Sequence, residues 1–375
     1  MTAAKKPKVA IVYTHFPHYR AAVFGALSAS NVYHFDLYYD AKGVTETIMT
    51  GPRGAHHHDL QLRRFGTMMW QTGALGLAWR RDHAAVIFLG NPFILSTWIA
   101  AILARLRGKP VLFWTHGWLS REPWPKRALR NSFYRLADAL LVYGQRAKDL
   151  GIAQGFAPAR LHVIGNSLDY DTQRQARAAI LSTPDTDPRR APLDRPFFLS
   201  VARLIATVRL DMAIGAMAHL PPDTALVLVG DGPERPALQA QAQALGVDVR
   251  FMGAIYDEDQ LAQLFMATRA VVSPGKVGLL AMHALAYGAP VITHDDLDRQ
   301  MPEVEAIEAG QTGAFFRFGD VADLARQMAG FLDQSTAQRA ASRARAIATI
   351  EQGYTPEVQA RRITSALDAS LQRAT

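Results

Sequence analysis

The segment Ser273-Pro274-Gly275-Lys276-Val277-Gly278-Leu279 holds the densest potential chemistry in the chain. An apolar, β-branched run, Ala270-Val271-Val272, enters it. A helix-like stretch leaves it and stops at Gly288, before the strand-like Pro290-Val291-Ile292. This is a βαβ unit whose helix starts on a glycine-rich turn. The free N–H groups and partial positive charge of a helix's first turn suit an anion such as a diphosphate. Further polar groups follow other apolar runs: Ala202-Arg203-Leu204, Gly230-Asp231-Gly232, Phe251-Met252-Gly253, Trp114-Thr115-His116-Gly117 and Gly165-Asn166-Ser167. Asn166 could bond a ligand or cap a turn. His56-His57-His58 invites a metal check. Three consecutive histidines cannot all face one ion from a strand or helix. No partner stretch with metal-ligand spacing accompanies them, so the expectation is a polar loop and no metal site.

The elements that must position these groups alternate along the chain. Strands are expected at Lys8–Tyr13, Val32–Tyr39, Ala84–Leu89, Pro110–Trp114, Ala139–Tyr143 and Leu161–Ile164, with helices between them. Residues 41–65 read as polar and turn-rich. Residues 182–195 contain three prolines and few apolar groups, and read as a linker. The alternation then restarts at Phe197 and ends in an Ala/Arg-rich helical tail. Such alternation means parallel sheets covered on both faces, in an α/β fold with two doubly wound, Rossmann-like domains. The expected boundaries are 1–181, a linker at 182–195, 196–355, and a C-terminal helix at 356–375 that packs back on the first domain. Two such domains would place a cleft between the carboxyl edges of their sheets.

The chain of 375 residues is long enough for two ordinary domains. It has no cysteine, which excludes disulfides and thiolate metal sites. No apolar run reaches membrane-spanning length. The start lacks the apolar core of a secretory signal, so a cytoplasmic protein is expected. Charge is uneven: residues 1–183 hold 23 Lys and Arg against 10 Asp and Glu, while the rest is net acidic. The basic half could meet an anionic membrane or a phosphorylated substrate. Nucleic acid is not expected, because no recognition helix, zinc spacing or stacking motif is present. Phe65–Trp79 is apolar, carries two tryptophans and is flanked by Arg63-Arg64 and Arg80-Arg81. That pattern fits either peripheral contact with the inner face of a membrane or a core helix with basic ends.

The ordered blocks at Arg203, Gly230–Arg235, Gly253 and Ser273–Ile292 resemble retaining glycosyltransferases of family 4, which have the GT-B fold. The resemblance is strongest from Phe197 to Phe318 and looser before Ser182. It implies a nucleotide-diphosphate sugar donor of UDP or GDP type, a polysaccharide or lipid-linked glycan acceptor, and no metal or other cofactor. Arg203 would hold the diphosphate, since a guanidinium forks onto two phosphate oxygens and stays charged in a closed site. Amides around Gly275, Lys276, Val277, Gly278 and Leu279 would hold the sugar and the distal phosphate, with Gly253 against the base. His116 matches the family's active-site histidine. His18, Tyr19, Arg20 and Asn166 would face the acceptor. Glu303 and Glu305 resemble a loop near the sugar. Two departures stand out. The family's phosphate-binding lysine, five positions after the arginine, is Val208 here, with Arg209 adjacent and Lys276 a second substitute. Both family glutamates are missing, and the second falls at His283. These departures leave a second class open, a nucleotide-sugar binder without turnover that serves as a partner or scaffold.

Overall fold

The computed structural model describes residues 6–42, 51, 54, 56–118, 122–184 and 186–373. The chain forms two compact units, residues 1–169 with 356–375, and residues 170–355. The division falls at Asp169/Tyr170, so residues 182–195 belong to the second unit rather than lying between the two. Their short helical turn Pro188–Arg190 starts from Asp187, whose carboxylate accepts from the Arg189 amide at 2.9 Å.

The first unit is built on a seven-stranded parallel sheet. Its strands are β1 (Lys8–Val12), β2 (His34–Tyr39), β3 (His57–Asp59), β6 (Ala85–Leu89), β7 (Val111–Thr115), β8 (Ala139–Val142) and β9 (Leu161–Val163), and the spatial order is β3-β2-β1-β6-β7-β8-β9. Between β3 and β6 lies an antiparallel hairpin of β4 (Leu62–Phe65) and β5 (Met68–Gln71). The β6 and β8 runs are apolar throughout, and β7 is apolar up to its last residue, Thr115, because helices cover both faces. The C-terminal helix Pro356–Gln372 buries Ile363, Ala366 and Leu367 in the same core as Phe24 and Leu27. Its Gln359 donates to the Gly165 carbonyl at 2.8 Å and accepts from Ser167 at 2.7 Å, bracing the loop after β9.

Two expectations fail here. The stretch 41–65 contains β3 and β4, so His57 and His58 lie on a strand rather than in a loop. Phe65–Trp79 is not one helix: the turn at Gly66-Thr67 folds it into β5, and only Ala74–Trp79 is helical.

The second unit holds six parallel strands, β10 (Phe197–Val201), β11 (Ala225–Val229), β12 (Val249–Gly253), β13 (Val271–Ser273), β14 (Val291–His294) and β15 (Gly313–Phe316), in the order β12-β11-β10-β13-β14-β15. The order steps outward in opposite directions from the β10/β13 pair. In open parallel sheets, ligands bind at the carboxyl ends of strands at such a reversal. Arg203 and the Gly275 turn leave those two strand ends.

Candidate active site

Arg203 is exposed in the loop after β10, and backbone packing fixes that loop. Ala202 N–H bonds the Val229 carbonyl at 3.0 Å, Leu204 N–H the Asp231 carbonyl at 3.0 Å, and Glu234 N–H the Leu204 carbonyl at 3.1 Å. Gly230 and Gly232 permit this approach. A Cβ at Gly230 would lie 1.9 Å from the Ala202 oxygen, and one at Gly232 would lie 2.3 Å from the Leu204 oxygen. The Gly-Asp-Gly turn is therefore a rigid backing for the arginine loop. Gly253 ends β12 at φ +73°, and its carbonyl accepts from Gly230 at 2.7 Å.

The turn after β13 is packed the same way. Gly275 N–H donates to the Val208 carbonyl at 2.9 Å, and its Cβ position lies 2.4 Å from the Thr207 oxygen. Val277 N–H donates to Gln300 Oε1 at 2.7 Å. The same Gln300 amide donates to Thr293 Oγ1 at 2.8 Å and the His294 carbonyl at 2.9 Å. Two of the five amides expected to face a ligand are thus spent inside the unit. Those of Lys276, Gly278 and Leu279 have no hydrogen bond among the described residues. The Lys276 side chain is exposed, beside the first turn of the helix Leu279–Ala286. Gln300 was missed in the sequence; only its place after the Pro-Val-Ile strand could have suggested it.

Val208 sits in a short helical turn, half-buried against the core of the second unit. Arg209 follows in the left-handed region, φ +56°, and its guanidinium pairs with Asp211 at 3.3 Å. His283 also has a partner within the unit. Its Nε2 lies 2.8 Å from Glu258 Oε1, the Tyr287 hydroxyl donates to that oxygen at 2.6 Å, and Phe265 packs against the ring at 4.6 Å. Burial pushes the Glu258 carboxyl up, but His283 and Tyr287 outweigh it and hold Glu258 below its ordinary range. Glu303 is buried in the turn Pro302–Ala306, whereas Glu305 is exposed.

In the first unit, His116 follows β7. Its ring packs at a tilt against Tyr143, with centroids 4.7 Å apart. Desolvation, then the charges of Arg20 and Arg130, lower its pKa to about 4, so the imidazole is neutral near pH 7. The loop is clamped from below. Arg130 grips Glu122 in two bonds of 2.9 and 2.7 Å and donates to the Gly117 carbonyl at 3.2 Å, while Tyr134 meets Thr115 Oγ1 at 2.6 Å.

Arg20 is only 7% exposed. Its guanidinium bonds the Tyr143 hydroxyl and lies 5.2–5.9 Å from the rings of Trp114, Tyr143, Tyr13 and Tyr19. Burial opposes its charge, yet the tyrosines hold its pKa above the ordinary value. Arg20 and His116 thus flank the same Tyr143, a grouping the sequence did not reveal. His18 is exposed with its ring 5.7 Å from Tyr19. Asn166 is buried and accepts from the Ser167 amide at 3.2 Å, a turn-capping contact.

Comparison with known proteins decides the family. Residues 183–348 match the model of glycosyl transferases group 1, and residues 32–172 match that of glycosyltransferase family 4. The chain belongs to the family 4 type of glycosyltransferases. It is 27% identical over 257 residues to the alpha-D-kanosaminyltransferase of Streptomyces kanamyceticus, covering 60% of this chain and 63% of that one. It is 34% identical over 142 residues to a GDP-mannose-dependent alpha-(1-6)-phosphatidylinositol monomannoside mannosyltransferase of Mycolicibacterium smegmatis, covering 34% and 36%. These matches span less than two thirds of either relative's length. Among solved structures, Anabaena Alr3699/HepE in complex with UDP aligns with a TM-score of 0.73 at 17% identity, over 97% of this chain and all of that one. The lipopolysaccharide outer core galactosyltransferase WaaB aligns at 0.69 and 16% over 96% and 99%. The two parallel-sheet domains are those of the GT-B fold.

Proposed function

We propose that this glycosyltransferase-family protein moves a sugar from a nucleotide-diphosphate sugar to a glycan or lipid-linked acceptor, with retention at the anomeric carbon. The anomeric C–O bond to the diphosphate breaks, a bond to the acceptor oxygen forms, and the acceptor proton passes to the departing diphosphate. The observation that carries this reading is the pairing of Arg203 with the open amides of Lys276, Gly278 and Leu279 on the neighbouring ends of β10 and β13. Cationic and N–H donors held rigidly at one strand reversal stabilise charge that develops on a leaving diphosphate. Neutral His116, seated on Tyr143, offers a hydrogen bond to a sugar or acceptor hydroxyl. UDP or GDP should raise the melting temperature of the wild-type chain without added metal, and Arg203→Ala should shrink that rise. Near-normal turnover in Arg203→Ala would sink the assignment.

Peripheral membrane contact fits the first unit. The helix Leu95–Leu106 turns Leu95, Ile99, Ile102 and Leu106 outward at helical spacing, Leu106 being 75% exposed. Trp79 is exposed nearby with the Arg107 guanidinium 4.7 Å from its ring. An outward apolar stripe edged with arginine and tryptophan suits an anionic lipid surface. Among the described residues, no helix is long and apolar enough to cross a membrane.

The scaffold reading draws on Val208, His283 and the two spent amides. It predicts nucleotide binding with no transfer, and an assay with the bound nucleotide's sugars separates the two.

A further inference from the structure

Asp36 lies near the start of β2, only 4% exposed, and is ringed by imidazoles. His34 Nε2 stands 3.3 Å from Asp36 Oδ1, His58 Nε2 3.4 Å and His56 Nδ1 4.0 Å from the same oxygen. His83 Nε2 lies 3.1 Å from Oδ2, and Lys8 Nζ 3.8 Å from it. Strand geometry produces the cluster. His34 and Asp36 are two residues apart on β2 and share one face; His56 and His58, two apart at and just before β3, share the matching face of the adjacent strand. The odd member, His57, points the other way, to the Tyr39 hydroxyl at 3.2 Å and the Phe16 ring. Three consecutive histidines on a strand cannot all meet one ion, but alternate ones can, and their partner is the His34-x-Asp36 pair on the next strand.

We infer that His34, Asp36 and His56 form a binding site for a divalent first-row transition ion, zinc by preference. Their ligand atoms all lie within 4.8 Å of one another. Zinc bonds of roughly 2.0–2.1 Å in a tetrahedron place ligand atoms about 3.4 Å apart, so only small rotations of half-exposed rings are needed. The donor set of two imidazoles and one carboxylate suits zinc, nickel or copper over magnesium or calcium. His58 and His83 would hold the carboxylate from outside the ion, the usual support for a metal ligand.

His34 pairs with Lys8 at the amino ends of their strands, and Asp36 pairs with Ala10 two residues further along. His116 follows the carboxyl end of β7. The ion would therefore pin the short edge strand β3 onto β2 and take no part in sugar transfer.

The test uses the full, tag-free chain. Calorimetry with zinc chloride should give one tight site per chain, absent with magnesium. At a hundredfold excess over Kd, the melting temperature should rise by roughly 5–10 °C. Substituting both His56→Ala and His58→Ala should remove that site. These side chains are 48% and 44% exposed, so their truncation leaves no core cavity. Cobalt bound to the wild type should show the intense visible absorption of a tetrahedral centre. No stoichiometric zinc binding by the wild type, undiminished binding by the double variant, or a weakly absorbing octahedral cobalt complex would each overturn the site.

Discussion

Substituting Gly275→Ala isolates the packing that shapes the candidate donor turn. Gly275 does not sit in the left-handed region, so alanine meets no intrinsic backbone penalty there. What it meets is backbone: the new Cβ falls 2.4 Å from the Thr207 oxygen and 2.9 Å from the Val208 carbonyl carbon. Ordinary contact begins near 3.4 Å, so the turn must retreat by about 1 Å. That retreat stretches the 2.9 Å bond from Gly275 N–H to the Val208 carbonyl beyond hydrogen-bonding range. One lost backbone bond costs about 1 kcal/mol, and forced repacking roughly 1–3 kcal/mol. The expected loss is therefore about 2–4 kcal/mol, a fall of roughly 5–15 °C in melting temperature. Shifting the amides of Lys276 and Gly278 by about 1 Å should also cut transfer about a hundredfold. Thermal unfolding followed by transfer kinetics with the identified donor reads both. Lys276→Ala is the contrast, with stability within about 0.5 kcal/mol of wild type and weaker nucleotide binding. A Gly275→Ala protein that melts with the wild type and transfers at its rate would refute the close-packed turn.

Two further predictions concern the first unit. His116 has its folded pKa lowered to about 4, below its ordinary value near 6.5. The unfolded chain binds the extra proton between those values, so His116 contributes stability that is present above pH 6.5 and lost as pH falls toward 4. Denaturant titrations should show this slope reduced in His116→Gln, and an unchanged slope would contradict it. Replacing Ile99 and Ile102 with serine should reduce sedimentation with anionic vesicles while leaving the fold intact; equal sedimentation would remove the lipid-facing role of that helix.

Much of the architecture was legible in the sequence because parallel strands buried on both faces print as continuous apolar runs, as at Ala85–Leu89 and Ala225–Val229. The edge of the first sheet was not. β3 is the polar His57–Asp59, with no apolar pattern to betray a strand, and its reason lies in Asp36 and Tyr39 on the neighbouring strand. The unit boundary was likewise hidden, since the proline-rich 182–195 looks like a linker but folds with the second unit. At the site, the glycines marked the turns correctly, but a sequence does not say which amides are spent. Gly275 and Val277 are engaged by Val208 and Gln300, contacts that depend on distant loops meeting. Arg20 read as a loop cation; its burial among Tyr13, Trp114 and Tyr143 required three strand ends to converge.

In the proposed function, Arg203 and the turn after β13 hold a nucleotide diphosphate. Calorimetric titration of wild type and Arg203→Ala with UDP and GDP, without metal, tests it most directly. A charge-assisted, forked contact to phosphate is worth roughly 1.5–3 kcal/mol, so the variant should bind the preferred nucleotide about 10- to 150-fold more weakly at unchanged melting temperature in the absence of ligand. Equal affinity in the two proteins, or no binding of either nucleotide to the wild type, would contradict it.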